Sequence, residues 1–205
     1  LVKGTAKGMF LEILAALKGC GYRVKCRVLD AQWLGVPQTR RRVIFIGVRE
    51  DLNCEPVHPS PLSYRYSVLD ALPWIQKQPS ASMFDDSKGT MQGTNVPSPT
   101  IRAAGHSTSR VEAETRMSPC YQKEWDKMKV GEQSDKYFSL IKVNPTAPSP
   151  TVDTSAMRAS VCHPLEKRKF SIAELRRICA FPDDFILTGS YAQQWERLGN
   201  SVPPV

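Results

Sequence analysis

The chain has 205 residues, and 41% of them are hydrophobic, which is enough to bury the core of one ordinary domain or of two small ones. No apolar run could cross a bilayer, and the six cysteines form no Cys-x-x-Cys pair and do not cluster with the three histidines, which argues against a membrane protein, a disulfide framework and a metal site. Most of the formal net charge of +8 lies in residues 1–51, where ten Lys/Arg face four Asp/Glu, and this favours a polyanionic partner only weakly.

The first predicted element is an amphipathic helix after Thr5, which ends at Gly19 and Gly21. Alternating apolar and basic residues predict a half-exposed strand over residues 22–29, and a continuous apolar run predicts a buried strand over residues 43–48. A loop with a basic cluster separates the two strands. This order indicates the edge of an α/β sheet that needs further strands.

Residues 53–163 differ in composition, because they hold most of the prolines and show poor apolar periodicity. They predict a second, irregular unit. The phrase Pro-Ser-Pro-Thr occurs twice, at 97–100 and at 148–151. It is too brief and too widely spaced to indicate a solenoid repeat, and two similar strand starts explain it as well as any other interpretation. After this unit, Ser171 predicts the cap of a helix that ends at Pro182, and residues 191–198 predict a second short helix that stops at Gly199.

The loop before the apolar strand carries three successive arginines. Arg40 and Arg42 are two residues apart in extended chain, so we expect their side chains to point together. An arginine triplet usually lies on a solvated surface. Here Arg42 adjoins an apolar strand, where a charge needs a partner, and this favours a buried anionic or carbonyl-bearing ligand.

Four stretches, in order along nearly the whole chain, resemble motifs of the DNA cytosine-5 methyltransferases. Gln38-x-Arg40-x-Arg42 after Gly35-Val36-Pro37 resembles the family's Gln-x-Arg-x-Arg motif. The other three are the start, Leu1-Val2-Lys3 with the helix that follows, the stretch from His163-Pro164 through residues 168–185, and the Gly-Asn-Ser-Val-Pro-Pro sequence of residues 199–204. The resemblance implies the C-terminal portion of such an enzyme.

The implied fold class is α/β: the C-terminal part of a Rossmann-like S-adenosylmethionine-dependent methyltransferase domain, with a small mixed target-recognition domain. Residues 1–52 would be the edge of the catalytic domain, residues 53–163 the target-recognition domain, and residues 164–205 the returning helices that complete the catalytic domain. We expect the stretch from Arg168 to Asp184 to be a scaffold rather than a site.

The resemblance also implies the chemistry. A cysteine thiolate would add to C6 of a flipped cytosine, and C5 would then take a methyl group from S-adenosylmethionine. Arg42 would contact the cytosine O2 and stabilise the anionic ring in the way an oxyanion hole does. Arg40 would hold the catalytic loop or the DNA backbone, and Gln38 would shape the turn.

Further residues are implied to hold the cofactor and the DNA. Asn200, Ser201 and Val202 would line the S-adenosylmethionine pocket. Double-stranded DNA would be the partner, and its candidate contacts are Thr151 and Val152, which resemble the Thr-Leu pair of a recognition loop, with Arg158, Arg102 and Arg110. We expect a cytoplasmic protein, associated with the nucleoid in a prokaryotic host, that serves DNA methylation and restriction-modification.

The sequence departs from the family in lacking the Phe-x-Gly-x-Gly, Pro-Cys-Gln and Glu-Asn-Val motifs. Its Pro119-Cys120 pair follows the arginine motif instead of preceding it, so we expect Cys120 to be an ordinary cysteine. Because the chain starts at Leu1 without Met, we expect a missing N-terminal catalytic portion, on the same parent chain or in a separate subunit, and no activity without it. Two alternatives remain: a tRNA cytosine-5 methyltransferase, which the large variable region disfavours, and a non-catalytic DNA-binding subunit or degenerate methyltransferase.

Overall fold

A computed structural model describes residues 6–76, 113–137, 139–155 and 161–204 of the chain. The first part is a helix followed by two strands, α1 (Ala6–Gly19), β1 (Tyr22–Asp30) and β2 (Arg41–Arg49). The later elements are α2 (Val68–Ala71), α3 (Pro119–Trp125), β3 (Ile141–Lys142), β4 (Val161–Cys162), α4 (Ile172–Ile178) and α5 (Tyr191–Asn200). None of the helices in these ranges has the length and apolar character needed to span a membrane.

The predicted first helix and both long strands are confirmed. Strands β1 and β2 pair antiparallel, with Tyr22 opposite Arg49 and Asp30 opposite Arg41. Helix α1 covers one face of this hairpin, and the Phe10 and Phe45 rings lie 5.6 Å apart. The expectation of a buried second strand is wrong for this chain, since every residue of β2 keeps partial exposure. An apolar strand is buried only when neighbours cover both of its faces, and one helix covers one face.

The main hydrophobic core joins residues from both of the units predicted to be separate. It is formed by Val68, Leu72, Ile75, Val143, Val152, Val161, Phe170, Leu175, Ile178, Cys179, Trp195 and Leu198. Residues 68–161 come from the predicted recognition unit and residues 170–198 from the predicted returning helices. The boundary expected at residue 163 therefore does not separate two cores, because α4 and α5 are short helices whose apolar faces need this common partner.

Capping boxes begin three of the helices, α2, α4 and α5. In α4, the Ser171 hydroxyl accepts from the backbone of Glu174 and the Glu174 carboxylate accepts from the backbone of Ser171, which confirms the predicted cap. The predicted stop at Gly199 is wrong, because α5 continues to Asn200. Gly199 is instead a point of close approach, since a Cβ atom there would lie 2.3 Å from the Asp153 carbonyl oxygen.

Candidate functional site

Asp30 closes the base of the loop that carries the arginine motif. Its carboxylate accepts from the backbone N–H of Arg40 at 3.3 Å, from Arg41 Nε at 3.1 Å and from Gln32 Nε2 at 2.8 Å. Burial would raise the pKa of Asp30, but these hydrogen bonds outweigh it and hold the pKa below its ordinary value. An ionised carboxylate therefore fixes the point at which the loop re-enters the hairpin.

Gln38 lies inside the protein with no exposed surface. Its Nε2 donates to Cys179 Sγ at 3.4 Å, across 141 residues of sequence. Burial raises the pKa of Cys179 to about 11, so the thiol stays neutral and can accept this bond only weakly. Gln38 thus attaches the tip of the loop to the end of α4, a placement in keeping with a residue that shapes the turn.

Arg40 is also buried, with 2% of its surface exposed. Its guanidinium donates to the Val152 carbonyl oxygen, at 3.2 Å, and to the Gly199 carbonyl oxygen. Burial lowers the pKa of Arg40, and the charge of Arg42 lowers it further. Arg40 therefore joins three separate segments: the loop, the chain around residue 152 and the end of α5.

Arg42 has the opposite environment, and the expectation that Arg40 and Arg42 point together is wrong. Arg42 is exposed, and its Nη1 donates to the Arg41 carbonyl oxygen at 2.8 Å. The reason is that Arg40 lies before the first paired residue of β2 and turns into the core, whereas Arg42 lies within the strand, opposite Leu29. The Arg42 guanidinium, which was expected to meet a buried ligand, is exposed and accessible to one.

The loop pairs directly with the second Pro-Ser-Pro-Thr phrase, residues 148–151. Thr39 N–H donates to the Ser149 carbonyl at 2.8 Å, and Ser149 N–H donates to the Pro37 carbonyl at 2.9 Å. The exposed Thr151 donates its hydroxyl to the Thr39 carbonyl. Val152 is fully buried in the core, so its side chain offers DNA no surface, and the expectation of a contact there needs correction. Side chains alternate along an extended segment, which sends Val152 inward next to the outward Thr151.

The three residues expected to hold the cofactor follow directly on the carbonyl that Arg40 binds. Asn200 is exposed, and Val202 is 60% exposed. The Ser201 hydroxyl donates to the Leu198 carbonyl at 2.7 Å and is thereby committed to ending α5. The Asn200 amide and the apolar Val202 side chain are thus left open beside the arginine loop. The described ranges hold no group of three His, Cys, Asp or Glu that could bind a metal.

The motif around Arg168 is structural. Arg168 and Glu174 form a two-pronged pair, with N–O distances of 2.8 and 2.9 Å, on the same Glu174 that caps α4. His163 is buried and its Nδ1 accepts from the backbone N–H groups of Leu165 and Glu166. These contacts hold the start of α4 against the core, as expected of a scaffold.

Several sequence predictions cannot be placed. Arg102, Arg110 and Arg158 lie outside the described residues, so their DNA contacts stay predictions.

Cys120 is exposed near the start of α3, and a hydrogen bond with Ser118 lowers the pKa of its thiol. Sequence reasoning missed Asp30, although an aspartate directly before the short 3-10 helix Ala31–Trp33 is a recognisable capping signal.

The chain is similar to known proteins over its whole length. The chain matches the family of C-5 cytosine-specific DNA methylases over residues 1–205. It is 28% identical to the type II methyltransferase M.MthTI of Methanothermobacter thermautotrophicus, covering 99% of this chain and 59% of the relative. It is 32% identical to the type II methyltransferase M1.HphI of Haemophilus parahaemolyticus, covering 95% of this chain and 48% of the relative. The chain thus spans about half the length of the curated relatives it matches.

Solved structures share the fold at low sequence identity. A crystal structure described as a prophage-encoded DNA modification methyltransferase of E. coli superposes with a TM-score of 0.65 at 19% identity, covering 98% of this chain and 62% of that chain. A DNMT2 mutant of Spodoptera frugiperda superposes with a TM-score of 0.55 at 15% identity, covering 98% of this chain and 59% of that chain. The described chain therefore has an α/β methyltransferase fold.

Proposed function

Because the chain belongs to the C-5 cytosine-specific DNA methylase family, we propose that it is the part of a DNA cytosine-5 methyltransferase that recognises the DNA target and supplies Arg42 to the active site. One observation carries this proposal: Arg40 binds the carbonyls of Val152 and Gly199 and so joins two of the four family-like stretches, residues 38–42 and 199–204, to the segment around Val152. Such a meeting point is what a site assembled from distant motifs requires.

Arg42 is the residue that we propose for the chemistry. It is exposed, it lies next to the anchored Arg40, and only one of its guanidinium nitrogens is committed to the backbone in the described contacts. A guanidinium donating to O2 of a flipped cytosine would stabilise the negative charge that develops when a thiolate adds to C6. The thiolate itself would come from the remainder of the enzyme.

S-adenosylmethionine would supply the methyl group that is transferred to C5, as members of this family use it. The residues present fit one side of its pocket. The open Asn200 amide can hydrogen-bond polar groups, and the open Val202 offers an apolar surface, whereas the Ser201 hydroxyl is already bonded to Leu198. We propose that Asn200 and Val202 contact this cofactor and that Ser201 positions them.

The remainder of the methyltransferase domain would cover the surface of α1 and the hairpin. None of residues 7–30 and 41–49 is buried, and Met9 and Leu11 are 63% and 53% exposed. Within the described residues β1 and β2 pair only with each other, and uncovered apolar surface next to such strand edges is a docking surface for more sheet. We propose that this partner belongs to the same parent chain or to a second subunit, and that the whole enzyme methylates double-stranded DNA in restriction-modification, in the cytoplasm at the nucleoid.

DNA recognition would fall to residues near the loop and to those outside the described ranges. Thr151 is exposed beside the arginine loop, and Arg102, Arg110 and Arg158 remain candidates for phosphate or guanine contacts. Val152 would act only by holding the Arg40 guanidinium through its carbonyl.

The transfer of labelled methyl groups from S-adenosylmethionine to duplex DNA tests the proposed division, in which this chain recognises DNA and supplies Arg42 and the remainder of the enzyme supplies the thiolate. We expect none with this chain alone, and transfer when the N-terminal half of the methyltransferase domain is added or fused. Transfer by the chain alone would overturn the proposed division. DNA binding without any transfer in the completed protein would favour the non-catalytic alternative.

A further inference from the structure

An exposed aromatic and basic surface lies beside the arginine loop and takes no part in the site described above. It consists of Trp33, Tyr64, Arg65 and Tyr66, which we call the Trp33 patch. The Arg65 guanidinium lies over the Trp33 ring, 5.0 Å from its centroid, and the Tyr64 and Tyr66 rings meet edge to face at 5.2 Å. The three rings remain 39%, 54% and 42% exposed, respectively. Aromatic surface of this extent marks an interaction surface, and it lies beside a guanidinium that has no carboxylate partner among the described residues.

Backbone and side-chain contacts fix the patch to the loop. Leu62 N–H donates to the Trp33 carbonyl at 2.7 Å, which ties the chain before Tyr64 to the short helix Ala31–Trp33. Arg65 Nη1 donates to Gln32 Oε1 at 3.4 Å, and Gln32 Nε2 donates in turn to Asp30. The patch therefore stands at the same end of the hairpin as Arg40, Arg41 and Arg42.

The charge of Arg65 is not neutralised in the part of the chain that the structure describes. The two nearby carboxylates have other partners: Asp30 accepts from Gln32 and Arg41, and Asp70 accepts from Ser67 and from the Tyr64 hydroxyl at 3.0 Å. A guanidinium stacked on a ring is held in one plane yet keeps its edge donors for a ligand. Planar edge donors with a full positive charge match phosphate oxygens.

We propose that the Trp33 patch binds the phosphate backbone of the DNA next to the target site, with Arg65 donating to a phosphate oxygen and the Trp33 ring holding Arg65 in place. This inference rests on the proposed function, because it takes the ligand to be DNA. It adds a contact surface outside the predicted recognition residues, formed by the chain that connects the hairpin to α2.

Fluorescence anisotropy of the 205-residue chain with a labelled duplex at several salt concentrations tests the patch. Arg65→Gln should weaken binding about tenfold at low salt and reduce the slope of log K against log salt by about 1, the loss of one phosphate contact. Arg65→Lys should keep most of the slope, since it keeps the charge. Trp33→Leu should weaken binding with the slope unchanged, because it removes the support and no charge.

Arg49→Gln is the matched control, because Arg49 is an exposed arginine at the far end of the same hairpin, opposite Tyr22. Eight residues of strand separate it from Arg41, or roughly 26 Å. We expect its affinity and slope to stay close to those of the unchanged chain. If Arg49→Gln and Arg65→Gln weakened binding equally, the effect of Arg65 would come from the net charge of the chain and not from its place in the patch, and the proposal would be overturned. Unchanged binding of Arg65→Gln would overturn it while leaving the proposed function intact, whereas a chain that binds no DNA even at low salt would overturn both.

Discussion

Arg40 and Arg42 occupy opposite environments although one residue separates them, and this difference divides their roles. Arg40 has two carbonyl partners inside the protein, and Arg42 is exposed at the end of the hairpin. Side-chain alternation predicted that they would share a side, but it holds only within a regular strand, and Arg40 lies just outside one. We therefore propose that the chemistry and the assembly of the site rest on different arginines.

Arg42→Ala should slow methyl transfer in the completed enzyme by about 10²–10³, the usual cost of one oxyanion-type donor. DNA affinity should stay within a few-fold, and Arg42→Lys should rescue poorly, because lysine lacks the planar donors of arginine. Single-turnover rates and binding measured on the same variants check this. Near-normal turnover of Arg42→Ala would remove Arg42 from the base pocket and leave it a surface arginine.

Arg40→Ala should instead destabilise the fold. It leaves the carbonyls of Val152 and Gly199 without their donor in the core, and we expect a loss of about 3 kcal/mol in the free energy of unfolding. Arg41→Ala is the control: the Arg41 side chain is 78% exposed, and without it the Asp30 carboxylate keeps its hydrogen bonds from Gln32 and from the Arg40 backbone, so we expect a loss of about 1 kcal/mol or less. Urea unfolding of the two variants measures these losses. Similar losses in the free energy of unfolding for Arg40→Ala and Arg41→Ala would contradict the role of Arg40 in assembling the site.

His163 should make stability depend on pH. Burial, with help from Arg168, lowers the pKa of His163 from 6.5 to about 4. Between these pH values the histidine is protonated in the unfolded chain but not in the folded chain. The free energy of unfolding therefore falls as the pH drops from 6.5 to 4, by roughly 3 kcal/mol in all. His163→Asn retains a hydrogen-bond acceptor but cannot titrate, and it should flatten this part of the profile. Equal pH slopes in urea unfolding of the two proteins would show that His163 is not responsible.

At the scale of elements, the structure depends on contacts that join distant parts of the sequence. The loop pairs with Ser149 through backbone hydrogen bonds, and α5 packs against the backbone of Asp153 through Gly199 and through Trp195 Nε1, which donates to the Asp153 carbonyl at 3.0 Å. The segment of residues 149–153 is thus held between the arginine loop and the last helix.

Gly199→Ala should separate these elements. Its Cβ would meet the Asp153 backbone at 2.3 Å, a distance that forces a shift of backbone rather than of a flexible side chain. We expect a loss of about 1–3 kcal/mol in stability. Gly8→Ala in α1 is the control: its Cβ would meet nothing within 4 Å, and alanine is favoured over glycine in a helix by about 1 kcal/mol. If urea unfolding shows Gly199→Ala to be as stable as Gly8→Ala, the close approach is not a constraint.

How far the sequence could predict these elements depended on how local each signal was. Helix α1, strands β1 and β2 and the Ser171 cap follow from patterns within a few residues, and the structure confirms them. The pairing of Thr39 with Ser149 spans 110 residues and leaves no periodic trace. The burial of Arg40 and Val152 depends on that pairing, so it could not be predicted from either segment alone. The family resemblance suggested Gln38, Arg40 and Arg42 as site residues, but not which arginine would be exposed.

At the scale of the whole molecule, one part of the described chain has a core and the other has an open surface. The segments around α2, α4 and α5 enclose fully buried residues such as Phe170 and Trp195, while α1 and the hairpin enclose none. The apolar run of β2 was predicted to be buried, and that burial requires neighbours that the described residues do not supply. This asymmetry is the physical basis for proposing that the chain works as one half of a larger methyltransferase domain.

We propose that the completed enzyme methylates C5 of cytosine in duplex DNA. The most direct test incubates the chain, joined to the N-terminal half of the methyltransferase domain, with S-adenosylmethionine and either duplex DNA or tRNA, then identifies the methylated nucleosides by mass spectrometry. We predict 5-methyldeoxycytidine from the DNA, and none when Arg42 is replaced by alanine at early times. Methylation confined to 5-methylcytidine in tRNA, or to a position other than C5, would contradict the claim.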